Sequence, residues 1–329
     1  IRKPLVSITL LIDPVKFRFV ASGLIIEKVR SIITPLCIIK KIVTIYLLQF
    51  VYILMKIDPK HIISLGAGVQ SSAMALMAEH GEIKPKPTAA VFADTGAEPK
   101  SVYDWLDYLE SKLSYPVYRV MHSNLRDDLI KATKSDESRV AGIPMFVTNK
   151  DDDVVGGMLW RQCTSEYKIK PVQKKLREIA GLKPRQRSKE VLIVQWYGIS
   201  LDEITRMRES TVKWNENRYP LIDLGMKREH CLQWMAENNY PEPPRSACTF
   251  CPYHNDVEWR RLKVHEPEEF QDAVNIDRAI RNGITGMKKG NKAYLHRSMI
   301  PLEEVDLRNA EDHGQIDMFD NECEGMCGI

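Results

Sequence analysis

Between His61 and Gly81 the chain reads His-Ile-Ile-Ser-Leu-Gly-Ala-Gly-Val-Gln-Ser-Ser-Ala-Met-Ala-Leu-Met-Ala-Glu-His-Gly, and this stretch limits the fold more than any other. Ile62 to Leu65 is a short apolar run suited to a buried parallel strand. Gly66-Ala67-Gly68 allows a tight turn, and Ser71 or Ser72 is placed to cap a helix over Ala73–His80 that stops at Gly81. Such a turn points backbone N–H groups and a positive helix end at one spot, which favours a phosphate. It is not a Walker-type loop, which needs Gly-Lys-Ser/Thr after four spacer residues. It is not the dinucleotide fingerprint either, because no third Gly follows at the right spacing.

The same alternation continues. Ala89–Ala93 predicts a second strand, ending in Asp94-Thr95-Gly96. Pro99 to Lys112 predicts a helix with Val102, Trp105, Leu106 and Leu109 on one face. Val117–Val120, Leu125–Ala132 and Val191–Trp196 follow as strand, helix and strand, the last leading into Gly198-Ile199-Ser200. Strands alternating with helices imply an α/β fold, a parallel sheet with helices on both faces. Ligands then sit at the carboxyl ends of the strands. Ser64, Gly66, Gly68, Gln70, Ser71, Ser72, Asp94, Thr95, Gly96, Gly198 and Ile199 are the resulting candidates for a ligand site that includes a phosphate.

Residues 1–54 differ from the rest. They hold eight Lys/Arg against two Asp/Glu, which leaves 39 basic and 42 acidic residues in the remainder, a balance of −3 in place of the overall +3. A polybasic nucleic-acid protein is therefore not the first reading. The densest apolar run, Ile42–Leu54, is shorter than the roughly 20 residues that span a bilayer. The expectation is that Met55 is the start and residues 1–54 are upstream read-through, with a membrane anchor or a folded extension as alternatives. From residue 55 onward no stable membrane association is expected, and the protein is expected to be cytoplasmic. Residues 55–215 are read as the α/β domain that carries the glycine turn and 216–329 as a smaller, mostly helical part that carries cysteines.

Seven cysteines occur, at 37, 163, 231, 248, 251, 323 and 327. Cys231 lies on a predicted helix, Arg228–Asn238, with Trp234 and Met235, and reads as a buried core thiol. Cys248-Thr249-Phe250-Cys251-Pro252 reads as a metal-gripping turn, either for an iron–sulfur cluster or for zinc with His254 beside it, or as an unmetallated thiol pair. Lys168, Lys170, Lys174, Lys175 and Arg177, with the run Lys183–Lys189, read as a solvated helix face and loop; contact with the phosphate backbone of a nucleic-acid substrate is the alternative. Ser135–Gly157 reads as a lid-like insertion. Its Asp151-Asp152-Asp153 invites Mg²⁺, but adjacent Asp side chains rarely converge on one ion, so a solvated loop is preferred.

Gly66-Ala67-Gly68-Val69-Gln70-Ser71 resembles the pyrophosphate loop of PP-loop ATP pyrophosphatases, usually Ser-Gly-Gly-x-Asp-Ser. Phe92-Ala93-Asp94-Thr95-Gly96 resembles the second motif of the phosphoadenosine phosphosulfate (PAPS) reductase family. Cys163-Thr164 with Lys168-Ile169-Lys170-Pro171 resembles its Cys–Lys–Pro segment, and Trp196–Glu203 with Arg206 and Arg208 its phage-borne and DNA-phosphorothioation branches. The resemblance implies an adenine nucleotide alpha-hydrolase-like fold that holds ATP or PAPS. It further implies a [4Fe–4S] cluster on Cys163, Cys248, Cys251 and a fourth thiol such as Cys323. Asp94 would face the nucleotide or its metal, and Cys323 or Cys327 would attack substrate.

The implied activity is ATP-dependent adenylation coupled to sulfur transfer onto a nucleic acid or a small molecule, with a sulfur donor as partner. Thiol-dependent reduction of PAPS or adenylyl sulfate, supplied by a thioredoxin-like reductant, is the second reading. A nucleotide-binding module without chemistry is the third, motivated by Gln70 in place of Asp.

Overall fold

A computed structural model describes residues 58–134, 142–148, 157–284, 287 and 290–308. The chain divides into two compact units, Ile1–Ile57 and Asp58–Ile329, and the described residues belong to the second. Its centre is a five-stranded sheet of β1 (Lys60–Leu65), β2 (Ala89–Asp94), β3 (Val117–Met121), β5 (Ile193–Tyr197) and β6 (Asn215–Arg218). The order is β3-β2-β1-β5-β6 and every pairing is parallel. β6 begins at Asn215 and is the edge strand of the same sheet, beside β5. The short strands β4 (Phe146–Thr148) and β7 (Lys292–Tyr294) pair antiparallel in a second sheet.

The helices follow from the apolar patterns. α1 (Val69–Glu79), α2 (Lys100–Lys112) and α6 (Arg228–Glu237) bury residues such as Met74, Leu106 and Met235 in one core. There they meet Ile63, Leu65, Phe92 and Trp196 of the strands. α4 (Lys170–Ile179) covers the opposite face, placing Val172 and Leu176 with Ile62, Val91, Ala93 and Ile193. Adjacent strand residues therefore point to opposite layers, as the period of two requires. The expected α/β sheet with helices on both faces is present.

A third core joins α3 (Leu125–Lys134), α7 (Asp256–His265) and α8 (Pro267–Ile280) around Trp259, Phe250 and Phe270, with Cys163 and Cys248 packed against it. α5 (Pro220–Asp223) is a single turn after β6. Cys231 is fully buried in the first core, and burial pushes its thiol up to about 12, as a core thiol requires. Among the described residues no helix is long and apolar enough to cross a membrane.

Several boundaries moved. α1 begins at Val69 with Gly68 at its cap and no side-chain cap, not at Ala73 behind a serine. Ser71 and Ser72 therefore lie inside its first turn. β6 had no counterpart in the sequence reading.

Candidate nucleotide site

The sheet order reverses direction at β1 and β5: the chain leaves β1 for β2 on one side and leaves β5 for β6 on the other. That is where an open parallel sheet forms a crevice at its carboxyl edge. A cavity of about 310 Å³ lies there. Its floor is one face of the sheet, with Ser64, Val91, Ala93, Gln195 and Asn217. One wall is the turn after β1, with Gly66, Gly68, Gln70 and Ser71, and beside it lie Gly198 and Ile199 after β5.

The glycine turn is braced from within. Ser71 Oγ accepts the Gly66 N–H at 3.2 Å and donates to the Gly68 carbonyl at 3.2 Å. Gln70 Nε2 donates to Ser200 Oγ at 3.5 Å. Gly198 lies so close to α1 that a β-carbon on it would come within 2.7 Å of Ser71 N and Cα, whereas one on Gly68 would meet nothing within 4 Å. Because no side chain caps α1, its first N–H groups stay available at the cavity wall.

The floor is polar where a buried parallel strand is normally apolar. Gln195 Nε2 donates to Ser64 Oγ at 3.1 Å, and Asn215 Nδ2 donates to Gln195 Oε1 at 2.9 Å. Asn215 Oδ1 and Asn217 Oδ1 are buried without a partner. Val172 and Trp214 give the cavity an apolar side able to take a flat ring. Lys168, Arg206, Arg208, Arg228 and Arg245 bring positive charge to the walls against Glu203 and Glu209, and Arg206 pairs with Glu203 at 2.7 Å. Arg228 and Arg245 belong to no motif and escaped the sequence reading. Gln195 did leave a signal, as the one polar residue inside Val191–Tyr197.

Four candidates do not reach the cavity wall. Ser72 is fully buried and accepts the Trp105 Nε1–H at 3.0 Å. Asp94 Oδ1 accepts the Gly96 N–H at 2.7 Å and the Tyr103 hydroxyl at 2.8 Å, so this carboxylate braces its own turn. That contact, with burial as the larger cause, raises the Tyr103 pKa. Gly96, at φ +68°, sits against Asn124. Thr95 is buried, and its Oγ1 lies 3.4 Å from Cys248 Sγ.

The Thr95–Glu98 turn also carries the cysteine segment. The Thr249 N–H donates to the Ala97 carbonyl at 2.8 Å and Ser246 Oγ to Glu98 Oε2 at 3.4 Å. Cys163 begins a wide π-helical turn, Thr164–Ile169, that delivers Lys168 to the cavity. Three segments far apart in sequence thus meet beside the strand ends. A [4Fe–4S] cluster asks for thiolates converging on one point. Among the described residues no three His, Cys, Asp or Glu side chains gather closely enough to hold a metal ion. Cys37, Cys323, Cys327 and Asp151–Asp153 lie outside the described residues. Cys163, Cys248 and Cys251 as placed do not by themselves fit a cluster or a zinc ion. His254 is turned into the core: its Nε2–H donates to the Cys248 carbonyl at 2.9 Å, its ring meets Trp259 edge-on, and burial with the Arg245 charge lowers its pKa to about 3.

The remaining basic residues are mostly engaged on the surface. Lys170 pairs with Glu166 and Lys175 with Glu178, and Arg177 donates to the Lys183 and Gln186 carbonyls.

The fold is similar to that of a phosphoadenylyl-sulfate (PAPS) reductase from Candida auris, solved as a phosphate complex. The TM-score is 0.38 at 13% identity, over 56% of this chain and 76% of that chain. A likeness of that extent carries no argument about activity. No family model and no curated protein matches the chain.

Proposed function

We propose that the cavity binds an adenine nucleotide and that the protein is a PAPS-reductase-like enzyme of the PP-loop kind, one that adenylates an acceptor with ATP and then transfers sulfur to it. The observation that carries this reading is the cavity itself. An uncapped helix start and a glycine turn on one wall face cationic side chains on the others, over a floor with both polar and apolar parts. An acceptor oxygen attacks the α-phosphorus; a P–O bond forms as the bond to the β-phosphate oxygen breaks, and pyrophosphate leaves. The N–H groups of the turn and the Lys168 and Arg228 charges stabilise the negative charge that develops on the leaving group. The terminal sulfur of a persulfide, supplied by the sulfur donor, then attacks the activated carbon: the C–S bond forms and AMP departs with the C–O electrons. A second thiolate attacks the inner sulfur of the adduct; the S–S bond breaks, a disulfide forms and the acceptor leaves as its thiolate. The acceptor is a nucleic acid or a small molecule, in keeping with the resemblance of Trp196–Glu203, Arg206 and Arg208 to the phage-type and phosphorothioation branches.

The Thr95–Cys248 contact favours a second reading, reduction of PAPS or adenylyl sulfate. A thiolate would attack the sulfate sulfur, forming an S–S bond while the nucleotide leaves through the S–O bond. A second thiol, from the protein or a thioredoxin-like reductant, would release sulfite and leave a disulfide. Incubation with labelled ATP plus acceptor, or with labelled PAPS plus dithiol, separates the readings. Pyrophosphate release supports the first and sulfite the second. Failure to bind either nucleotide removes both.

A further inference from the structure

Glu98 follows β2, and its side chain is wholly buried. A buried carboxylate persists only when it is paired and hydrogen-bonded. Its two oxygens take different partners: Oε1 lies 3.2 Å from Lys168 Nζ, and Oε2 accepts from Ser246 Oγ at 3.4 Å. Lys168 and Ser246 both line the cavity, whereas Glu98 does not. The lysine comes from the π-helical turn after Cys163 and the serine from the segment that ends in Cys248. π-Turns of this kind are frequent at functional sites.

We infer that Glu98 is a positioning residue: from behind the wall it fixes the Lys168 ammonium at the cavity surface, for the anionic part of the ligand, and ties the Ser246–Cys251 segment to that lysine. The inference rests on the reading of the cavity as a nucleotide site. A flexible lysine left unheld would spend most of its time in other rotamers, and its contact with a phosphate would cost entropy at binding. A buried anion in direct contact with the ammonium reduces that cost. It also keeps the carboxylate itself away from the ligand's negative charge.

The test compares ATP and adenosine binding by titration calorimetry in the full-length protein and in the variants Glu98→Gln, Glu98→Asp, Lys168→Met and the double variant Glu98→Gln/Lys168→Met. Loss of one charge-assisted contact predicts a drop in ATP affinity of about tenfold to a hundredfold in Glu98→Gln and in Lys168→Met. Adenosine, which lacks phosphate, should change by less than about twofold on the same scale. Glu98→Asp keeps the charge and should recover most of the loss. The double variant removes anion and cation together and should bind ATP no more weakly than Lys168→Met alone.

An equal loss for ATP and adenosine in Glu98→Gln would make Glu98 a purely structural residue and overturn the inference. So would wild-type ATP affinity in Lys168→Met. Should Glu98→Gln fail to fold, the double variant decides against Lys168→Met, and weaker ATP binding in the double variant overturns the inference. If the unaltered protein binds neither ATP nor adenosine, the nucleotide reading itself fails, a result distinct from a silent Lys168→Met.

Discussion

Gly198 offers the sharpest test of how the site is built. It stands at the end of β5 with no positive φ, so its backbone would tolerate any residue; only its surroundings forbid one. An alanine Cβ there would sit 2.7 Å from Ser71 N and Cα and 3.1 Å from the Gln70 carbonyl carbon. The first of these is about 0.8 Å inside the roughly 3.5 Å at which carbon atoms pack. All three atoms are backbone, so no side chain can swing away. The turn after β5 must separate from the first turn of α1, an overpacking cost of about 1–3 kcal/mol. For a unit of this size that corresponds to a melting point lower by about 2–12 °C.

Gly68 is the opposite case. Its φ of −92° and ψ of 179° suit any residue, and a Cβ there meets nothing within 4 Å. Gly68→Ala should melt as the unaltered protein does and still lose nucleotide affinity, because the added methyl group enters the space beside the helix start. Gly198→Ala should lose both properties. Thermal melts and nucleotide titration of the two variants, side by side, measure the contrast. A Gly198→Ala protein with unchanged melting would refute the close approach of the two turns. Unchanged nucleotide affinity in Gly68→Ala would remove the turn from the site.

Ser72→Ala should leave the buried Trp105 N–H without an acceptor and cost about 1–3 kcal/mol, with nucleotide affinity unchanged; weaker binding at full stability would return Ser72 to the ligand. Asp94→Ala removes the acceptor for the Gly96 N–H and the Tyr103 hydroxyl, so chemical denaturation should show a loss of about 1–3 kcal/mol. Full stability with abolished turnover would instead make Asp94 a reacting group. Burial, with the Arg218 charge, holds the His61 imidazole below its ordinary value, and its Nδ1 accepts the Trp196 indole N–H at 3.0 Å. The folded state therefore prefers neutral His61. The associated stability is full above the unfolded pKa of about 6.5 and is lost as pH falls below it. His61→Gln keeps an acceptor for Trp196 and takes up no proton, so its melting point should depend less on pH through that range. An identical acid slope would exclude His61 as a contributor.

The parts of the fold that could be read from sequence are those where burial writes a period. Ile62-Ile63 and Val91-Phe92 send successive side chains into different cores, and α2 keeps Val102, Trp105, Leu106 and Leu109 on one face. β6 is Asn-Glu-Asn-Arg, which lacks any apolar residue and any strand propensity. It is an edge strand whose Asn215 and Asn217 line the cavity, so the pairing with β5 and the demands of the site override local preference. β4 and β7 are three residues each and join distant parts of the chain, a pairing no local window contains.

The site divides in the same way, and the reason is directional. A motif at a strand end locates a turn, but not which way each side chain in it points. Gly66, Gly68, Gln70 and Ser71 lie on the cavity wall because most of that turn borders it, Ala67 alone being turned into the core. Asp94 and Thr95 lie at an equivalent strand end, yet Asp94 closes on Gly96 and Tyr103, and Thr95 faces Cys248. From that turn it is Glu98, four residues further on, that acts on the cavity, through a lysine 70 residues away. Arg228 and Arg245 come from segments that carry no motif, and only the folded sheet brings them to its carboxyl edge. Charge at this site is thus assembled by topology, whereas the turn that faces it is encoded locally. Substitutions in the Gly66–Ser71 turn should therefore act on ligand binding where they leave the backbone space intact, while the cationic wall should be sensitive to any change that shifts β6, α6 or the Ser246–Cys251 segment as a body.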